Sequence, residues 1–246
     1  MKKDGLIYFI SDVHLNFIKD NKEIKKQKNL ISFLKTIETD AKELYIVGDL
    51  FDFWFEWYQV IPKYWFDIFF QFKILIKKGI KITFISGNHD FYFNSYLRDE
   101  IGFICYDEKI QFEVKTDLGN KKFFIAHGDG YAKTDKSYRV LKKIIRNKLS
   151  IFLFKTFVPI DFGIWLAKKT SKVSGKHRND GADWQEEYFE FAKTKFNAGF
   201  DFVILGHLHK PVRKTLEDKV YINCGDWINS FSYAVFDGKD LLLKMF

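Results

Sequence analysis

Five short apolar runs punctuate the chain, and each breaks off into polar residues. They are Leu6–Ile10, Leu44–Val47, Ile82–Ile85, Phe123–Ala126 and Phe202–Leu205. Their length and their β-branched and aromatic content predict buried strands rather than pieces of helix. Between them lie segments with apolar residues at helical spacing, near Lys22–Thr39, Tyr64–Lys78 and Trp184–Asn197. Strand alternating with helix predicts an α/β domain. Three more strands are predicted at the end, Val220–Asn223, Tyr233–Phe236 and Leu241–Lys244, with Asp237-Gly238 as a turn. The segment Lys133–Asp183 has no such strand and reads as a mostly helical insert, residues 133–183, within a single domain spanning 1–246.

Composition supports a large core, since 47% of the residues are hydrophobic and 29 are Phe. The formal charge of +8 points to an anionic partner: a phosphate substrate, a membrane or a nucleic acid. That charge is local. Thirteen Lys or Arg and two acids fall between Lys133 and Arg178, so the rest of the chain is net negative. The same segment carries Ile151-Phe152-Leu153-Phe154, Phe157 and Ile164-Trp165-Leu166. Basic and apolar residues mixed in this way suit an anionic membrane surface or an amphiphilic anionic ligand. The plainer reading is a solvated basic helix face. A nucleic-acid module is not expected, because no recognised motif appears and the charge is confined to one insert.

Two cysteines, Cys105 and Cys224, form neither a zinc spacing nor a disulfide framework. The apolar run after Met1-Lys2-Lys3 is too short for a signal peptide. No stretch approaches the roughly 20 apolar residues of a membrane-spanning helix. A cytoplasmic protein, at most peripheral to the membrane, is expected.

The chemistry sits where the runs end, the position at which open α/β sheets collect functional residues. The motifs are Ser11-Asp12-Val13-His14, Gly48-Asp49-Leu50-Phe51-Asp52, Gly87-Asn88-His89-Asp90, His127-Gly128-Asp129 and Gly206-His207-Leu208-His209. Five of the six histidines fall inside them. Singly each has a bland explanation: Asp12 as a turn residue, Asp49 as a helix cap, Gly87-Asn88 as a plain turn. Jointly they describe carboxylate, imidazole and amide donors converging on one place. Two divalent ions roughly 3.5–4 Å apart, bridged by a shared carboxylate, would activate water and neutralise phosphate oxygens. Such mixed donors suit manganese, iron or zinc. Gly206 is expected to supply the irregular backbone that lets His207 and His209 converge.

In order and spacing these blocks resemble the calcineurin-like metallophosphoesterase superfamily, over Asp12 to His209. The resemblance implies a four-layer αββα sandwich with a mostly helical cap insert. It implies that Asp12, His14 and His209 bind one metal, that Asn88, His127 and His207 bind the other, and that Asp49 bridges. It further implies that Asn88 and His89 face the substrate phosphate, and that Asp52 pairs with His89 as the catalytic dyad. A narrower resemblance rests on Gly48–Trp54, Gly87–Phe91, His127–Gly130 and Asn223-Cys224-Gly225-Asp226-Trp227. These stretches are similar to the UDP-2,3-diacylglucosamine diphosphatase family of lipid A synthesis. That likeness implies cleavage to UMP and 2,3-diacylglucosamine 1-phosphate, two ions with manganese the expected metal, and a site at the cytoplasmic face of the inner membrane. It implies that the insert holds acyl chains and that Asp135, Ser171 and Arg178 contact substrate. His89 and Asp52 stand where many members of that family carry Arg and Glu. The departure leaves open a nucleotide, phosphodiester or phosphoprotein substrate.

Overall fold

The computed structural model describes residues 5–18, 20–61, 63–117, 119–165, 169 and 182–246. Strands β1 (Leu6–Ile10), β2 (Ala41–Val47), β3 (Lys81–Ile85) and β4 (Ile104–Tyr106) run parallel in one sheet, in that order. β10 (Ser232–Phe236) pairs antiparallel with the free side of β1, and β11 (Leu241–Met245) pairs with β10. The second sheet has the order β5 (Lys109–Thr116), β6 (Gly119–Ala126), β7 (Phe202–Leu205), β9 (Lys219–Cys224) and β8 (Pro211–Leu216). Its inner three strands are parallel, and β5 and β8 close the edges antiparallel.

Alternation along the strands builds the layers. Ile7 and Phe9 of β1 face the second sheet and share a core with Ile125, Phe202, Ile204 and Ile222. Tyr8 and Ile10 point the other way, into a core covered by α1 (Asn21–Ile37) and α2 (Phe66–Lys77). The outer face of the second sheet, with Phe124, Val203 and Tyr221, is covered by Tyr188, Ala192 and Phe196. Those three lie on the last helix of the described residues, α5 (Ala182–Asn197). Helix, sheet, sheet and helix are therefore stacked as four layers.

Local chemistry sets the helix ends. Asp20 caps α1 by accepting Glu23 N–H at 2.8 Å, and Leu30, Phe33, Leu34 and Ile37 form its buried stripe. Four elements escape the apolar-run reading, the first of them the three-residue strand β4 (Ile104–Tyr106). β5 (KIQFEVKT) is an edge strand whose polar and apolar residues alternate, β8 (PVRKTL) is an edge strand with a polar middle and no buried residue, and Tyr96–Ile101 is a single π-helical turn.

Between β6 and α5 lie α3 (Lys136–Ile145), α4 (Lys148–Phe157) and a helical stretch over 160–165. Asn147 caps α4 through Leu149 N–H at 2.8 Å. Phe154 packs on Phe55 with ring centroids 4.9 Å apart, and Lys155 lies over Tyr58 at 4.1 Å. No residue of α4 is buried, although its sequence is largely apolar. No helix among the described residues is long and apolar enough to cross a membrane.

Candidate metal centre

The motifs leave the carboxyl ends of parallel strands. β1 delivers Asp12 and His14, β2 delivers Asp49 and Asp52, and β3 delivers Asn88 and His89. From the facing sheet β6 delivers His127 and β7 delivers His207 and His209. A sixth strand end, β9, leads into Gly225-Asp226. Five of these side chains stand on left-handed backbone: Asp12 (φ 53°), His14 (48°), Asp49 (52°), His207 (70°) and His209 (55°). Outside glycine such a conformation costs about 1–3 kcal/mol and persists only where its surroundings enforce it. One expectation is corrected here. His207 and His209 adopt the irregular backbone themselves, and Gly206 provides room, since a Cβ there would lie 1.9 Å from Ser11 Oγ.

Both central aspartates are held by one oxygen and bare at the other. Asp12 Oδ2 accepts Ser11 Oγ–H at 2.6 Å and His207 N–H at 2.8 Å. Its Oδ1 is buried, accepts no hydrogen bond, and lies 3.1 Å from His209 Nε2 and 3.6 Å from His14 Nε2. Asp49 Oδ1 accepts His89 N–H at 2.9 Å. Its Oδ2 is likewise buried and bare, 3.5 Å from His14 Nε2 and 3.3 Å from His127 Nε2. Asn88 Oδ1 stands 3.2 Å and His207 Nδ1 3.3 Å from His127 Nε2.

The histidines are aimed from behind. His127 Nδ1–H donates to Val47 O at 2.9 Å, which turns Nε2 inward. His14 Nδ1 faces Asp52 Oδ1 at 3.5 Å, and His209 Nδ1 faces Asp226 Oδ2 at 3.7 Å. Asp226 is itself fixed by the N–H groups of Asn229 and Ser230. Buried Asp90 accepts the N–H of Gly87 at 2.8 Å and of Leu50 at 2.7 Å, so it ties the β2 and β3 loops together.

Charge is concentrated here. Burial works against ionisation of Asp12 and Asp49, yet the imidazoles, His209 foremost for Asp12 and His127 for Asp49, hold both well below the usual carboxylate range. Burial also disfavours charge on His14 and His127, but the carboxylates beside them push these up to about 9 and about 10. Orphaned, buried carboxylate oxygens opposite converging imidazole nitrogens fit a cation. Among the described residues, three groups of side chains each bring donor atoms close enough to share a cation: Asp12, His14 and His209; Asp49, His127 and His207; and His14, Asp49 and His89, with Asp49 Oδ2 facing both His14 and His127. With no thiolate present, the set suits divalent ions such as manganese, iron or zinc.

His89 and Asp52 meet differently from a simple dyad. His89 Nδ1–H donates to the backbone carbonyl of Asp52 at 2.8 Å, while the carboxylate Oδ1 is 3.9 Å from Nδ1. Asp52 Oδ1 is closer to His14, and Oδ2 accepts Asn16 Nδ2–H at 3.1 Å. Asp135 stands apart from this cluster, half-buried at the start of α3. Ser171 and Arg178 lie outside the described residues.

The helices after β6 are tied to the centre by side chains that motif reading passes over. Tyr138 O–H donates to Asp129 Oδ2 at 2.9 Å, and Lys142 Nζ lies 2.9 Å from the same oxygen. Arg146 donates to Gly87 O at 2.8 Å and to Asp107 O at 3.0 Å. Trp184 stacks near His207, with centroids 6.4 Å apart and an interplanar angle of 11°. Tyr138, Lys142, Arg146 and Trp184 belong to no motif, and their partners Asp129, Gly87 and His207 are the residues that carry a sequence signal.

The calcineurin-like phosphoesterase family model matches residues 5–211. The chain belongs to that family. It is a metal-dependent hydrolase, and its helix–sheet–sheet–helix layering is the family's architecture. Among curated proteins it is similar to a UDP-2,3-diacylglucosamine hydrolase of Porphyromonas gingivalis, 33% identical over 97% of this chain and 96% of the relative. Similar too are proteins of that name from Hamiltonella defensa, 32% identical over 85% and 79% of the two chains, and from Neisseria meningitidis serogroup B, 29% over 92% and 91%.

Proposed function

We propose that this chain hydrolyses the diphosphate of UDP-2,3-diacylglucosamine to UMP and 2,3-diacylglucosamine 1-phosphate, using two manganese ions at an anionic membrane surface. The observation that carries the reading is the end-to-end similarity to a hydrolase of that substrate, 33% identical over 97% of this chain. The similarity therefore extends through the insert as well as the metal centre.

In this reading Asp12, His14 and His209 hold one ion, Asn88, His127 and His207 hold the other, and Asp49 bridges. Such a pair supplies a hydroxide at neutral pH and neutralises phosphate oxygens when bound. The chain's own residues do the rest. His89 spends Nδ1–H on the Asp52 carbonyl, so Nε2 is the atom left to face a phosphate oxygen and assist the leaving group. Burial holds the His89 ring below the ordinary imidazole range, while the carboxylates of Asp49 foremost and of Asp52 favour its protonated form. Asn88 faces the same phosphate.

The insert, residues 133–183, is the cap that takes the acyl chains, with Asp135, Ser171 and Arg178 as substrate contacts. The unburied α4 supports a peripheral membrane role: Leu149, Phe152 and Phe157 are exposed beside Lys148, and Phe162 and Trp165 follow. In a cell this corresponds to the cytoplasmic face of the inner membrane.

A second reading has one observation of its own. His89 with Asp52 is the general superfamily pair, which suits a nucleotide, phosphodiester or phosphoprotein substrate. Purified protein with manganese is expected to release UMP from UDP-2,3-diacylglucosamine. Absence of UMP alongside rapid turnover of bis(p-nitrophenyl) phosphate would replace the first reading with the second.

A further inference from the structure

Helix α1 contains a buried ion pair that belongs to none of the motifs. Lys26 and Glu23 are 7% and 5% exposed, and Lys26 Nζ lies 2.7 Å from Glu23 Oε2. Lysine and glutamate are rarely this buried unless they are paired. Both also grip the loop that follows β1. Lys26 Nζ donates to the backbone carbonyl of His14, and Glu23 Oε1 accepts Asn16 N–H at 3.1 Å. Two charged groups on one helical turn thus hold the backbone on either side of Leu15.

The held segment is strained and functional. His14 stands at φ 48°, which side chains other than glycine adopt only under constraint. Asn16 is fixed on all sides. Trp65 Nε1–H donates to its carbonyl at 3.2 Å, its Oδ1 accepts Ile18 N–H at 3.0 Å, and its Nδ2 donates to Asp52 Oδ2 at 3.1 Å. Asp52 Oδ1 in turn faces His14 Nδ1 at 3.5 Å. The path runs from α1 through Asn16 and Asp52 and returns to the imidazole that the clamp already holds by its carbonyl.

We infer that Glu23 and Lys26 are positioning residues that lock His14, and through Asn16 also Asp52, into the geometry that receives the first ion. The inference rests on the reading of His14 as a metal ligand. Its physical basis is that a buried ion pair contributes little net stability compared with apolar side chains of similar size. Its worth lies in where it holds the backbone. The clamp reaches the loop after β1 and leaves the loops after β3 and β6 alone, so its effect should fall on one ion.

The test is manganese titration of the metal-free protein by calorimetry and electron paramagnetic resonance, with thermal melting as the check on folding. Wild type should bind two ions, and His209→Ala should lose the first; failure of either overturns the ligand reading itself. Glu23→Leu combined with Lys26→Met should melt close to wild type. It should bind one ion at least tenfold more weakly and the other within twofold of wild type. Glu23→Gln, which keeps the side chain's shape, should weaken the same ion in the same direction and serves if the double variant does not fold. Two ions bound with wild-type affinity in the folded double variant, or in Glu23→Gln, would overturn the clamp, as would equal weakening of both.

Discussion

The backbone N–H of His89 donates to Asp49 Oδ1 at 2.9 Å, so the loop carrying His89 and the Asp49 carboxylate move as one piece. That bond leaves Asp49 Oδ2 bare and aimed at His14 and His127. It exists because the chain between them is glycine at 87.

Gly87→Ala is accordingly expected to damage the centre without touching a donor. A Cβ at 87 would lie 2.0 Å from Asp49 Oδ1 and 2.6 Å from Asp49 N, so the carboxylate must move. A displacement of this size should cost about 100-fold in turnover or more, with loss of bound metal by elemental analysis. Gly79→Ala is the control. Gly79 is a left-handed glycine (φ 87°), which Gly87 is not, and it has open space around it. It should lower the melting temperature, through roughly 1 kcal/mol of backbone strain, and leave metal content unchanged.

Metal binding should expel protons. In the metal-free protein His14 and His127 titrate near about 9 and about 10, so both are protonated at pH 7. An ion needs the neutral rings. Because these pKa values are raised, protons compete with metal below them, and affinity should climb with pH from 7 to about 9 and level off above about 10. Calorimetry at pH 7 in buffers of different ionisation enthalpy should show release of about two protons. Heats independent of buffer would refute this account.

His89→Ala is expected to lower kcat by about 100-fold or more, within the range for loss of a general acid, while both ions remain. Steady-state kinetics and metal analysis on the same preparation decide it. A large loss of metal instead would make His89 a ligand.

Exposed aromatics on the helices after β6 should govern vesicle binding and spare the chemistry. Phe157→Ser with Trp165→Ser removes two side chains that are 71% and 52% exposed. Affinity for phosphatidylglycerol vesicles, read by sedimentation, should fall by about 100-fold or more, since each aromatic buried in the membrane contributes roughly 1.5–3 kcal/mol. Turnover of a soluble phosphodiester should stay at the wild-type level.

Much of the fold is legible from apolar runs because the parallel strands are buried on both faces, and such strands read as continuous hydrophobic stretches. β1 and β7 coincide with Leu6–Ile10 and Phe202–Leu205. Edge strand β5 buries one face at most, so its signal is alternation, and edge strand β8 has a polar middle and no buried residue; short apolar runs detect neither. At the centre, residue types that bind metal announce themselves by kind and order. The residues that aim them do not. Asn16, Glu23 and Lys26 look like ordinary surface polar residues, and only the tertiary path from α1 to Asp52 reveals their use. Asp52 was read as a partner for His89. Its carboxylate faces His14 as well, a choice set by Asn16 that spacing along the chain does not encode.

The left-handed backbone at Asp12, His14, Asp49, His207 and His209 has a consequence for how this protein tolerates change. Relief of backbone strain alone would favour glycine at those five positions, since glycine reaches that conformation without a steric penalty. Keeping aspartate and histidine there sets function against stability at the same atoms. A descendant released from catalysis should therefore become more robust by losing these side chains, and its melting temperature would rise as its chemistry disappeared.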